Sequence, residues 1–163
     1  MKASLVKSKV KKPEAKATSA VAGAVHSCIH GRSSMGLVPA YTPSMLIESL
    51  KAGLALHELE VLRSSLGLPM DRLAPMLGIS KATLHRRKAA GRLDPAESDR
   101  VLRFARLMGT AVDVLENEHN ARSWLTSPQY GLGGAVPLEY AETEVGARVV
   151  EHLLGRIEHG VYS

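Results

Sequence analysis

The sequence predicts an all-α fold, and three observations carry that prediction. Apolar residues recur three and four positions apart in every periodic segment, and no stretch alternates over five residues with β-branched side chains. Only six of the 163 residues are aromatic, so the core must consist mostly of Leu, Val, Ala and Met, which suits helices better than β-sandwiches. Helix-start signals stand at Thr42-Pro43 and at Asp94-Pro95-Ala96-Glu97.

The first forty residues differ from the rest in charge. Six lysines and one glutamate among residues 1–20 account for the whole formal charge of +5, and the remaining chain is balanced. Residues 1–40 mix Lys, Ala, Ser, Gly and Pro without apolar periodicity, which predicts a disordered basic arm. The arm adds attraction to phosphates, or it is only a solvated tail. A signal peptide is the rival interpretation of Ala17 to Val25, but that run is short and contains no leucine.

The sequence gives little support for a disulfide framework, a metal site, a metalloprotease site or a membrane span. The single cysteine, Cys28, excludes an internal disulfide and favours a reducing compartment, the cytoplasm. His26 and His30 flank it but lack a second ligand cluster, so we expect no metal and no cofactor. His57 and Glu58 lack the second histidine of a metalloprotease helix, so we expect them to lie on a solvated face. No apolar run approaches the ~20 residues that span a bilayer, so we expect no membrane partner.

Residues 41–108 are expected to form one helical domain. Thr42-Pro43 opens a first helix that Gly53 ends, and a second helix runs from about Ala55 to Leu66 and closes at Gly67. The sharpest motif follows, from Pro69 to Lys88. This motif has the helix-turn-helix layout, in which the second helix enters the major groove. It consists of a short helix, a glycine turn at residue 78, an apolar residue at 79 that fills the turn, and a serine cap at residue 80.

The second helix of this motif presents the candidate DNA contacts, namely Ser80, Lys81, Thr83, His85, Arg86 and Arg87. Arg86 can pair with guanine edges, and Lys81 and Arg87 can reach guanine or phosphate. The alternative is a pair of helices with a basic solvated face. Pro75 inside the first helix is unusual and is expected to shorten it.

Residues 109–163 are expected to form a second small domain. The helix that begins at Asp94-Pro95 is predicted to break at Gly109-Thr110 and to resume at about Ala111. A final helix runs from Thr143 to about His159, with an apolar stripe comprising Val145, Val149, Val150, Leu153, Leu154 and Ile157. Acids and histidines on that helix spread over about 25 Å and do not converge on a pocket, so we predict that the protein is not an enzyme.

An ordered set of short motifs gives a family resemblance over about Pro43 to Ser163. The C-terminal half resembles the Xre/MbcA/ParS toxin-binding domain in Arg122-x-Trp124-Leu125, Pro128, Leu132-Gly133-Gly134, Pro137-Leu138, Thr143-Glu144-x-Gly146-x-x-x-Val150 and Arg156-Ile157-x-x-Gly160. The upstream half is similar to the helix-turn-helix of the same proteins in Leu77-Gly78-Ile79-Ser80-x-x-Thr83-Leu84 and Gly91-Arg92-Leu93-x-Pro95. Residues 1–40 lie outside this pattern, and Pro75 departs from it.

The resemblance implies an antitoxin of a type II toxin–antitoxin pair. The implied partner is a RES-domain toxin that destroys NAD, neutralised by binding with the antitoxin's C-terminal tail at the NAD cleft. The implied second role is repression of the antitoxin's own operon through operator DNA, with a homodimer as the binding unit and a higher toxin–antitoxin complex. The expected toxin contacts are Arg148, Glu151, His152, Arg156, Gly160, Val161, Tyr162 and Ser163. The alternative is a stand-alone regulator whose C-terminal half only dimerises.

Overall fold

The computed structural model describes residues 23–30 and 42–161, and these residues are helical with no strand. The helices are α1 (Ala24–His30), α2 (Pro43–Ala52), α3 (Leu56–Leu66), α4 (Met70–Met76), α5 (Lys81–Ala90), α6 (Pro95–Leu115), α7 (Glu118–Thr126), α8 (Pro137–Tyr140) and α9 (Glu144–Glu158), with a short 3-10 turn at Tyr130–Leu132. The predicted all-α class is therefore confirmed. One hydrophobic core runs through the helix-turn-helix half and the C-terminal half alike.

α1 corrects the expectation of a wholly disordered arm over residues 1–40. Ala24, Val25 and Ile29 are buried, and the helix packs against α6 and α3. The Glu58 carboxylate accepts hydrogen bonds from the backbone N–H groups of Ala24 at 3.1 Å and Val25 at 3.0 Å. This carboxylate satisfies two backbone donors that a helix start leaves unpaired. Glu58 is thus a buried anchor for α1, and its assignment to a solvated face was wrong.

The helix-turn-helix follows its predicted boundaries closely. Ser80 caps α5 by accepting a hydrogen bond from the N–H of Thr83 at 3.1 Å. Gly78 has a φ of +67°, a left-handed conformation that favours glycine, and Ile79 behind it is buried. Pro75 lies inside α4, which spans seven residues and ends at Met76. The turn therefore positions α5 as the sequence indicates, with α4 kept short.

α6 corrects the predicted break at Gly109. The helix continues through Gly109 to Leu115, and the chain turns instead at Glu116, which has a φ of +66°. Gly109 is buried against α1, where an added Cβ would collide with the carbonyl oxygen of Cys28. The glycine therefore allows two helices to pack closely. Because α6 belongs to both halves of the chain, the proposed division at residue 108 falls within one helix.

The C-terminal half is tied to the helix-turn-helix half by long-range contacts. On α7, Arg122 lies against Gly67 at the end of α3 and donates to the Ser65 carbonyl at 2.9 Å. A cation at a helix C-terminus is favourable because carbonyl groups there lack helical partners. At the other end, Thr143 caps α9 by accepting a hydrogen bond from Gly146 N–H at 3.1 Å. The Arg122 contacts thus hold α7 against the end of α3, and the Thr143 cap fixes the start of α9.

Candidate DNA-binding and partner-binding surfaces

α5 carries an exposed basic face. Lys81, His85 and Arg86 are all exposed, on the side of the helix away from the core. Arg86 donates a hydrogen bond to the Thr83 hydroxyl at 3.4 Å, and that hydroxyl also contacts the Ser80 hydroxyl at 3.0 Å. Ser80 and Thr83 thus cap the helix and orient Arg86. The face has the charge and the accessibility that contact with a DNA groove requires.

Arg87 lies elsewhere and is held within the fold. Its Nε donates to Glu97 at 2.7 Å, and a terminal nitrogen donates to Asp94 at 2.7 Å. The hydrogen bond from Arg87 to Glu97, followed by the negative charge of Glu97, raises the arginine's pKa. The Glu97 side chain is only 4% exposed, so losing this partner would leave a carboxylate almost buried and without its cation. Arg87 therefore joins α5 to the start of α6, a use that competes with the predicted phosphate contact.

The outward face of α9 is partly apolar. Val145 is 75% exposed and Val149 is 39% exposed, whereas Val150 and Leu154 on the same helix are buried. The predicted continuous stripe therefore splits, and its two outer valines do not pack in the core. Between them stands Arg148, whose side chain is 70% exposed and paired with Glu144 at 3.3 Å. Burial alone would raise the pKa of Glu144, but the Arg148 hydrogen bond and nearby arginine charges lower it overall.

The predicted toxin contacts on α9 fall into two groups. Glu151 is half-buried and pairs with Arg106 of α6 at 3.0 Å, so it braces α9 against the body of the protein. His152 and Arg156 are exposed, as are Gly160 and Val161 beyond the helix end. The remaining two predicted contacts, Tyr162 and Ser163, lie outside the described residues. The accessible surface is thus the outer face of α9 and the turn that follows it.

An apolar groove of about 640 Å³ lies beside the end of α9. Its lining residues come from α6, α7, the 3-10 turn, α9 and the following turn, and include Leu115, Trp124, Tyr130, Leu153, Ile157 and Val161. Trp124 is half-buried, although Leu125 beside it is fully buried, and Tyr130 at the groove is fully exposed. The groove is a feature that helical periodicity did not reveal.

Three further findings concern residues 23–30 and 42–161. No group of three or more His, Cys, Asp and Glu side chains among them is placed to hold a metal ion. The rings of His26 and His30 are tilted at 47° to each other, with centroids 4.5 Å apart. Burial raises the pKa of the Cys28 thiol on the same helix, against a smaller opposing effect of Arg106. None of the helices in this part of the chain is both long and apolar enough to cross a membrane.

Comparison with known proteins matches both halves of the chain. Residues 110–160 match the antitoxin Xre/MbcA/ParS C-terminal toxin-binding domain, and residues 45–106 match the antitoxin Xre-like helix-turn-helix domain. α1 precedes both matched regions. The chain is 36% identical to an antitoxin Xre from Yersinia enterocolitica over 77% of its own length and 86% of the relative's.

Two further relatives are similar over shorter or more divergent stretches. An antitoxin Xre from Photorhabdus laumondii is 42% identical over 45% of this chain and 50% of the relative. A protein from Sphingobium named Prs ADP-ribosylating antitoxin is 27% identical over 75% of this chain and 83% of the relative.

Proposed function

Because the chain belongs to the Xre/MbcA/ParS antitoxin family, a family without enzymatic activity, we propose that it neutralises a NAD-consuming RES-domain toxin through α9 and the residues after it. The single observation that carries the proposal is the outward face of α9, where Val145 and Val149 are exposed beside Arg148 and His152. Apolar side chains framed by charged ones are typical of a protein-binding surface. This face lies inside the region that matches a toxin-binding domain.

The tail after α9 gives the proposal its mechanism. Gly160 and Val161 are exposed, and Tyr162 and Ser163 follow them. A phenol ring can stack, and the phenol and serine hydroxyls can donate hydrogen bonds. These groups suit a cleft that binds NAD. The Sphingobium relative has ADP-ribosylation in its name, a reaction that consumes NAD as the donor of the ADP-ribose group.

The second proposed activity is operator binding by α5, which represses the antitoxin's own operon. Lys81, His85 and Arg86 form the proposed contact face, and Ser80 and Thr83 orient it. A single short helix gives little sequence specificity, so a homodimer is the proposed binding unit, with a larger complex once toxin is bound. Both activities belong in the cytoplasm, where operator DNA and NAD are found.

The α9 face is tested with a matched pair of double variants against a RES-domain toxin, sought first among the products of neighbouring genes. Val145→Ser with Val149→Ser should weaken the complex, because both side chains lose apolar area that the toxin would cover. Met45→Ser with Ile47→Ser removes comparably exposed apolar side chains from α2, at 44% and 52% exposure, and should leave the complex intact. Co-purification and titration calorimetry measure the difference.

The tail is tested by deleting Val161 to Ser163. The fold and operator binding should persist, since Val161 is exposed and the buried core of the described residues ends at Leu154. Toxin should be bound more weakly, or bound but still able to consume NAD. If the shortened protein protects NAD levels as well as the full chain does, the tail has no part in neutralisation. Failure of the full chain to bind any RES-domain protein would instead favour a stand-alone regulator whose C-terminal half dimerises.

A further inference from the structure

The apolar groove beside α9 raises the question of what covers it in the free protein. Its walls are the half-buried ring of Trp124 and the side chains of Leu153 and Ile157. A groove of about 640 Å³ falls within the size range of pockets that bind small organic groups. Apolar surface of this kind is costly to leave in water.

The chain itself returns to this groove. Beyond α9, Gly160 adopts a φ of +66°, and the N–H of Val161 donates back to the Arg156 carbonyl at 2.9 Å. This reversal at the helix end brings Val161 among the residues that line the groove. The next Cα is only about 3.8 Å further along a trans peptide chain. Tyr162 therefore starts from the groove's edge and needs no linker to reach it.

The chemistry of the groove suits a tyrosine. An aromatic ring buries a large apolar area, and its hydroxyl needs a polar partner. Leu153, Ile157 and Trp124 supply apolar and aromatic contact. The Gln129 amide nitrogen donates to the carbonyls of Trp124 at 2.9 Å and Ser127 at 3.1 Å. With both amide hydrogens used, the amide oxygen of Gln129 is the group that can accept a hydrogen bond from a tyrosine hydroxyl.

We propose that the groove between α7 and α9 is the docking site of the Tyr162 side chain in the toxin-free protein. The tail then has two alternative sites, this groove and the toxin. The docked ring covers Trp124 and shields the apolar groove of the free antitoxin from water. A partner that binds the tail uncovers the groove. The docking itself concerns the free protein, and only the transfer of the tail to the toxin rests on the proposed function.

Trp124 is the only tryptophan in the chain, so its fluorescence reports on this groove alone. The experiment compares the full-length protein with Tyr162→Ala, exciting tryptophan selectively. Loss of the ring should expose the indole, moving its emission to longer wavelength and increasing its quenching by acrylamide, while far-ultraviolet circular dichroism stays unchanged. Tyr162→Phe keeps the ring and should resemble the parent.

Two results would overturn the proposal. Identical emission and quenching for Tyr162→Ala and the parent would show that the ring does not cover Trp124. A parent emission that depends on protein concentration, with Tyr162→Ala behaving alike, would assign the groove to a second copy of the chain. Neither result bears on toxin binding, because no toxin is present in the assay.

Discussion

Replacing Gly109 with alanine tests whether α1 is docked on α6. Glycine in a helix interior is less favourable than alanine by about 0.8–1 kcal/mol, so helix propensity alone predicts a more stable protein. The new Cβ, however, would collide with the Cys28 carbonyl of α1. Overpacking costs about 1–3 kcal/mol, and the upper part of that range applies here because the obstacle is backbone rather than a flexible side chain.

The two effects leave a net loss of about 1–2 kcal/mol for Gly109→Ala. At roughly 2–4 °C per kcal/mol for a protein of this size, the melting temperature should fall by about 2–8 °C. Gly155→Ala is the matched control, since Gly155 lies inside α9 and an added Cβ meets nothing within 4 Å. That variant gains helix propensity alone, so its melting temperature should rise.

Differential scanning calorimetry of both variants shows whether each melting temperature falls or rises relative to the parent. If Gly109→Ala is stabilised as much as Gly155→Ala, α1 is not packed against α6 and the account of the N-terminal segment fails. The same variant with residues 1–30 removed should show a gain instead of a loss, because the obstacle to the Cβ is then absent.

Three further predictions follow from the contacts described above. Arg86→Ala should weaken operator binding in a mobility-shift assay by ~1–3 kcal/mol if the arginine reads a base, whereas Arg87→Ala should lower the melting temperature by leaving Glu97 without its cation. Gly146→Ala should disrupt the start of α9, because its Cβ would collide with the Tyr140 carbonyl, and a circular-dichroism melt unchanged from the parent would contradict this packing. The hydrogen bond from the Glu97 N–H, together with the Arg87 charge, lowers the pKa of Asp94 in the folded state. The ionised Asp94 therefore contributes its full stability above the ordinary pKa of 3.8, and this stability is lost as the pH falls through the lower folded-state pKa. Asp94→Asn should make the stability of the protein depend less on pH in this acid range.

Much of the helix-turn-helix could be predicted because its signals are local. Ser80 caps a helix, Gly78 permits a left-handed turn, and Ile79 fills the space beneath it, all within a few residues. The capping box at Asp94 and Glu97 is equally local. Such features depend on backbone geometry that neighbouring residues determine, so a single sequence contains them.

Features that depend on distant residues could not be predicted in this way. α1 is a short segment whose stability comes from Glu58 and Gly109, which lie far along the chain. Gly109 looked like a helix break because its close packing partner was not visible in the sequence. Arg87 looked like a phosphate contact because its acidic partners belong to another helix.

The face of α9 illustrates a related limit. An apolar stripe predicts which side of a helix faces the core, but it does not show which of its residues the neighbouring helices bury. α6 and α8 cover Val150 and Leu154 and leave Val145 and Val149 in solvent. The valines that are free of the core are the ones that the proposed function needs, and only the packing of neighbouring helices identifies them.

The most direct measurement of the central claim is a titration of the candidate cognate RES-domain toxin with the purified full-length protein, following NAD over time. We predict that NAD consumption falls in proportion to added antitoxin and stops at a fixed molar ratio, and that the Val145→Ser, Val149→Ser double variant shifts this end point or abolishes it. Undiminished NAD consumption in the presence of excess full-length protein would contradict the proposal that this antitoxin neutralises such a toxin.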